Sequence, residues 1–208
     1  MVKKTKCTKL IMNISILLLA VIIIAVIPTE NESAIYDDTI RLHILANSDS
    51  REDQELKLGI RDMVLEKYGQ KLSGYGTKEE ALDRISNLTP DIKRDVDERL
   101  REHGKKYTSR VEIGLEWYDT RKYEDFTLPC GYYSSLRIML GEAEGQNWWC
   151  VMYPPLCLDI ATESAPTDDG VINYTKEETR LISKGGYNLK FKILELMSEA
   201  FADFSKNG

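Results

Sequence analysis

The sequence predicts an α+β fold in two layers, an antiparallel sheet with helices packed on it, preceded by one N-terminal hydrophobic membrane segment. Three features of the 208-residue chain predict it. Apolar residues recur at helical spacing from Leu56 to Leu100, and at every second position from Val111 onward. Helical spacing returns near the C-terminus, so helices stand before and after a block of strands instead of alternating with them. A long apolar run also follows a lysine cluster at the start of the chain.

That run extends from Leu10 to Ile27, broken only by Asn13 and Ser15. As a helix it reaches roughly 27 Å, enough to cross a bilayer. Lys3, Lys4, Lys6 and Lys9 would stay on the cytoplasmic side and send everything after Pro28 outward. Residues 1–27 therefore read as a signal anchor or a signal peptide. The lack of a small-x-small site after Ala25 favours the uncleaved anchor. Four of the 28 basic residues lie in this segment, so 24 face 34 acidic groups in the remainder, a formal −10. A domain that acidic is a poor ligand for nucleic acid or anionic lipid.

Residues 28–38 read as a polar stalk and 39–208 as one exported globular domain. Ile40, Leu42 and Ile44 alternate with Arg41, His43 and Leu45, a strand pattern that ends at Asn47, Ser48, Asp49 and Ser50. Ser50 and Asp53 resemble a capping box for a helix carrying Leu56, Ile60, Met63 and Val64 and stopping at Gly69. Thr77 and Glu80 repeat the signal ahead of Leu82, Ile85 and Leu88. Thr89 and Pro90 then open a third helix with Ile92, Val96 and Leu100, closed by Gly104, and His103 suits its negative C-terminal end. Strands follow at Val111–Trp117, Leu136–Leu140 and Trp148–Tyr153 and read as an antiparallel meander. Ala161–Asn173 reads as a loop, Thr175 and Glu178 cap a short helix ending at Gly185, and Phe191, Leu194, Met197 and Phe201 stripe a last helix.

Of the four cysteines, Cys7 precedes the apolar run, which leaves Cys130, Cys150 and Cys157 in a compartment that permits disulfides. The Pro154-Pro155 turn favours a Cys150–Cys157 bridge. Pairing of Cys130 with either of them, or three reduced thiols, remain alternatives. The spacing of Cys and His supplies no zinc set. Asn47, Asp49 and Asp53 invite a calcium reading that fails because Arg51 and Glu52 occupy positions where an ion-binding loop needs an oxygen ligand and a glycine. No metal or cofactor is expected. His43 has no spacing that pairs it with a cysteine nucleophile, and no hydrolase, metalloprotease or phosphate-loop motif is present.

Ten aromatic residues fall between Tyr107 and Tyr153, out of 3 Trp, 11 Tyr and 4 Phe in the chain. Trp148 and Trp149 are adjacent on a strand and must point to opposite faces, so one of them is available for a partner unless helices cover both sides.

Two stretches, IRLHILANSDSREDQELK at Ile40–Lys57 and LPCGYYSSLRIMLGEAEGQNWWCVMYPPLCLD at Leu128–Asp159, resemble the stage II sporulation protein R family of endospore-forming bacteria. The Arg41–Ser50 run, the Pro129–Tyr133 turn, and Asn147–Cys150 with Pro154–Cys157 carry the resemblance, which covers most of residues 36–160. Cys130 and Tyr132 stand where the family turn usually has Ala and Glu, and relatives can carry Arg at position 43. The resemblance implies a signalling protein made in the forespore and exported into the space between the two sporulating compartments. There it would activate a membrane-embedded aspartic protease of the mother cell that processes a pro-sigma factor. With it, Asn47, Asp49, Ser50, Trp148 and Trp149 become the expected partner-binding surface. A cell-envelope hydrolase using Cys150 or a carboxylate pair on peptidoglycan, and a passive structural adaptor, are the other readings.

Overall fold

Both faces of one strand, Ile40–Leu45 (β1), are buried almost throughout, and this strand lies inside the sheet instead of at its edge. The computed structural model describes residues 12–20, 30–72, 77–123 and 126–153, together with Thr179, Ile182, Leu194 and Leu196. Within them, residues 12–20 are helical (α1), followed by Glu30–Asp37 (α2), β1, Arg51–Tyr68 (α3) with a 3₁₀ turn at Gly69–Leu72, and Lys78–Glu102 (α4). Then come Ser109–Tyr118 (β2), the short Arg121–Lys122 (β3) and Thr127–Leu128 (β4), Gly131–Leu140 (β5) and Asn147–Tyr153 (β6).

The sheet order is β2-β5-β1-β6. β1 runs parallel to β5, with Leu42 opposite Leu136, and antiparallel to β6, with Leu42 opposite Cys150. The expected antiparallel meander is therefore corrected to a mixed sheet: β5 and β6 are consecutive in sequence but have β1 between them. The reason lies in the Gly141–Gln146 connection, which arches over the end of β1. Gly145 N–H donates to Ala46 O at 3.0 Å and Glu144 N–H to Asn47 O at 3.3 Å.

Leu42, Ile44, Leu136, Ile138 and Cys150 line one face and share a core with Leu56, Ile60 and Val64 of α3 and Ile85, Ile92, Val96 and Leu100 of α4. Each such side chain contributes about 1.5–3 kcal/mol relative to exposure. α4 is one helix where two were expected. Its stripe of Ala81, Ile85, Leu88, Ile92, Val96 and Leu100 keeps helical spacing across Pro90, which is exposed. Burial of that stripe outweighs the lost N–H at Pro90. The hydroxyls of Ser86 and Thr89 bond back to Leu82 O and Ile85 O at 2.8 and 3.0 Å, while Pro90 has no N–H for Ser86 O.

The stretch expected as a polar stalk contains α2, and Ile35 within it is fully buried in the core. A single apolar residue gives no periodicity to read. Ser50 and Thr77 cap α3 and α4 as expected, accepting from Asp53 N–H and Glu80 N–H. A ring nitrogen of His103 lies 2.9 Å from Arg99 O, at the C-terminal end of α4. Among the described residues no helix is long and apolar enough to cross a membrane. Half of the Leu10–Ile27 run, and Cys7, Cys157 and the Ala161–Asn173 loop, lie outside the described residues. So do the last two helices apart from four helical residues, of which Ile182 is buried in the core.

Replacing Pro90 with alanine restores an interior N–H without disturbing the buried stripe. Pro90→Ala is expected to raise stability by about 2 kcal/mol, the roughly 3 kcal/mol cost of an interior proline less the unfolded-state entropy it removes. Denaturant unfolding checks this, and an unchanged or lower midpoint would contradict it.

Candidate functional site

The turn after β1 is built around one buried carboxylate. Asp53 Oδ2 accepts from Asn47 Nδ2 at 2.8 Å and Ser48 Oγ at 2.6 Å, and Oδ1 accepts from Lys105 Nζ and Tyr107 Oη, each at 2.9 Å. Asp53 belongs to the first turn of α3, Lys105 and Tyr107 to the connection from α4 to β2, so three segments meet on it. Burial alone would raise the pKa of Asp53. The donors Ser48, Asn47, Lys105 and Tyr107 more than reverse that and hold it well below the usual carboxylate range. Burial and the bond to Asp53 push Tyr107 up to about 12. The Ser50–Asp53 capping box is thus half made: Ser50 accepts from Asp53 N–H at 3.2 Å, but the Asp53 side chain turns inward instead of reaching back.

The same turn is tied to the β5–β6 arch. Asn47 Oδ1 accepts from Glu142 N–H at 3.1 Å and Asp49 Oδ1 from Gln146 N–H at 2.7 Å. Lys57, buried on α3, donates to Gln54 Oε1 and Gln146 O at 2.7 and 2.8 Å. Desolvation lowers its pKa, partly opposed by the charge of Asp49. Gly141 has φ +56°, and a Cβ there would sit 2.2 Å from Asn47 Oδ1. A Cβ on Gly145 would sit 2.3 Å from Ser48 O. The arch approaches the turn so closely that only glycine fits at these two positions.

Of the expected partner-binding residues, Asn47, Asp49, Ser50 and Trp148 fall at one end of the sheet, since the arch enters β6 two residues before Trp148. Asp49 and Ser50 are exposed, while Asn47 is half-buried and spends its side chain on structural bonds. The two tryptophans do point to opposite faces. Trp148 pairs with Ile44 in the register and has Arg61 of α3 5.2 Å from its ring centroid. Trp149 stacks on His43, with centroids 5.2 Å apart, and carries Arg121 3.7 Å over its ring. Both are half-buried, so each face of β6 is partly covered. The exposed apolar surface lies elsewhere: Leu115 is 76% and Tyr132 63% exposed, and Tyr132 meets Trp117 edge-to-face at 5.2 Å. β2 and β5 are ten residues long, and these positions are towards the ends that meet at Tyr118 and Gly131. A strand longer than the helices above it can cover is the signal that would have located this patch.

Chemically the turn is a rigid surface, not an acid or base, because the Asp53 oxygens are already saturated by four donors. His43 Nδ1 faces Glu116 Oε1 at 2.8 Å, and Ser135 Oγ donates to Glu116 Oε2 at 3.1 Å. Desolvation would raise the pKa of Glu116, but His43, Ser135 and Arg137 lower it. Cys150 and Cys130 are both buried, so neither is presented as a nucleophile. A cleft of about 220 Å³ between α3 and α4 is lined by Met63, Lys67, Asp95, Glu98, Arg99 and Glu102 and holds no cysteine or histidine.

A family model described as stage II sporulation protein R matches residues 36–163. The stage II sporulation protein R of Bacillus subtilis (strain 168) is 31% identical to this chain over 194 residues, which covers 84% of this chain and 87% of that protein. No solved structure matches.

Asp53 has its folded pKa below the unfolded value of about 3.9, so its stabilisation is complete above that pH and is lost as pH falls through the folded pKa. Asp53→Asn is expected to cost about 2–4 kcal/mol at neutral pH, by leaving Lys105 and its neighbours without the carboxylate. It should also flatten the loss of stability below about pH 4. Urea unfolding of both proteins from pH 7 to pH 3 checks this. Equal acid slopes would contradict it.

Proposed function

The chain belongs to the stage II sporulation protein R family and is a sporulation signalling protein, and from that premise we propose that it acts outside the cell that makes it. In this reading it is exported across the forespore membrane, anchored or released by residues 1–27, and activates a membrane-embedded aspartic protease of the mother cell that processes a pro-sigma factor. The observation that carries it is the family match over residues 36–163, which spans β1, the Asn47–Ser50 turn, the arch and β6. The geometry supports a binding role: a rigid, multiply bonded turn with exposed Asp49 and Ser50 stands beside Trp148, the composition of a hot spot with a polar rim. A peptidoglycan hydrolase acting through Cys150 would need that thiol free and accessible, and it is buried.

Export is also consistent with a Cys150–Cys157 bridge. Cys150 is disulfide-bonded and Cys130 is not, which removes Cys130 from the pairing. Of the two remaining cysteines, Cys157 lies across the Pro154-Pro155 turn, while Cys7 would be on the other side of the membrane. Such a short loop contributes about 2–3 kcal/mol in the chain-entropy model.

Co-expression of the full chain with the protease and its pro-sigma substrate in a non-sporulating host tests the activity. Processing that depends on this chain is expected; processing that is equal without it would refute the proposal. In the same assay Asp49→Ala and Trp148→Ala should reduce processing at least tenfold, with thermal midpoints within a few degrees of the parent. Loss of activity only in proportion to lost folding would assign these residues to structure alone. Peptide mapping of the oxidised protein should return a Cys150–Cys157 peptide, and a dominant bridge involving Cys130 would contradict the pairing.

A further inference from the structure

The sheet face opposite α3 and α4 buries more hydrogen-bonding groups than it satisfies. Arg41 and His43 are two residues apart on β1 and so share this face. Arg41 is 0% exposed. Its Nε donates to Cys150 O at 3.2 Å and its Nη2 to Tyr123 Oη at 2.8 Å, and its Cζ lies 4.2 Å from the Tyr118 ring centroid and 5.1 Å from that of Tyr133. Nη1 is buried with no partner. His43, 5% exposed, uses Nδ1 on Glu116, and its Nε2 is also buried without a partner, as is Nε of Arg121.

The carboxylates that the described residues place on this face are already committed. Glu116 serves His43, Ser135 and Arg137, and Glu112 serves Arg137 at 3.0 Å. Among the described residues Arg41 and Arg121 therefore have no carboxylate partner. A guanidinium cannot escape burial by losing its proton, so a desolvated arginine without an anion is retained at a cost that tyrosine rings offset only in part. The geometry suits one missing group: a carboxylate, whose paired oxygens match the arginine fork.

We propose that this face is a carboxylate-binding site centred on Arg41, which receives an acidic side chain of a partner protein through the unused Nη1. Among the described residues, half-buried Tyr123 lies against Arg41 and half-buried Trp149 against His43. Rotation of one ring opens a path for a small anion. The buried Arg41 guanidinium, inside a domain of formal charge −10, would select for an acidic group that the rest of the surface repels. The inference goes beyond protease activation and does not depend on which partner supplies the acid.

The test is a titration of the full-length chain in detergent micelles, isotope-labelled at the arginine and tryptophan side chains. The probes are a blocked Gly-Glu-Gly peptide, its Gly-Gln-Gly counterpart and inorganic phosphate. The glutamyl peptide should give saturable shifts at the Arg41 guanidinium and Trp149 indole signals, and the glutaminyl peptide none. Arg41→Met should weaken binding at least tenfold while keeping the thermal midpoint within a few degrees or raising it, because a buried charge is replaced by an apolar chain. The proposal is overturned if no saturable shift occurs or if both peptides act equally. Phosphate displacing the glutamyl peptide at equal concentration would make this a general anion site and overturn the carboxylate assignment. The peptide comparison uses the unmodified protein, so it decides the matter even if Arg41→Met does not fold. No protease is involved, so failure here leaves the signalling proposal standing.

Discussion

The Asp53 carboxylate holds this fold at the point where its layers join. It accepts from the turn that leaves β1 and from the segment that enters β2, while its own backbone starts α3. A buried anion with four donors is stable only if all four stay in place, which turns separate loops into one cooperative unit. Asn47 extends that unit to the β5–β6 arch by donating to Asp53 and accepting from Glu142 N–H. The arch in turn passes over the end of β1 through two glycines that leave no room for a side chain. That crossing is why β1 becomes an inner strand, parallel to one neighbour and antiparallel to the other.

Being an inner strand has a cost that the sequence of β1 displays. Its even positions pack against α3 and α4, but its odd positions place Arg41 and His43 in a buried layer of Tyr118, Tyr133 and Trp149. Helix-side packing is apolar and non-directional, and supplies stability. The opposite layer is polar and aromatic, and keeps unspent donors on Arg41, His43 and Arg121. The exposed Leu115 and Tyr132 patch adds a third type of surface, apolar and open.

Much of this was legible in the residues. The Ser50 and Thr77 caps, the stop at Gly69, the strand periods and the opposed directions of Trp148 and Trp149 follow from local chemistry. What was not legible was non-local. Strand order depends on an arch over β1 that no period encodes, and Pro90 reads as a helix start because the burial that overrides it comes from a distant sheet. Ile35 alone could not announce α2. Asn47 and Asp49 stood out correctly as a special turn, but the sequence does not say that Asn47 is spent on Asp53 and Glu142 while Asp49 and Ser50 remain at the surface. Leu115 looked like an ordinary member of a buried strand and Tyr132 like a turn residue, and only the extent of helix cover shows them as one exposed patch.

The central claim is that the Asn47 turn, the first turn of α3 and the arch form one cooperative unit, and native-state amide hydrogen exchange in Asn47→Ala tests it most directly. The expected result is a joint loss of protection at Glu144 and Gly145 in the arch and at Gln54 in α3, by similar factors, with the centre of α4 unaffected. Loss confined to Glu142, with Gly145 and Gln54 exchanging as in the parent protein, would contradict it.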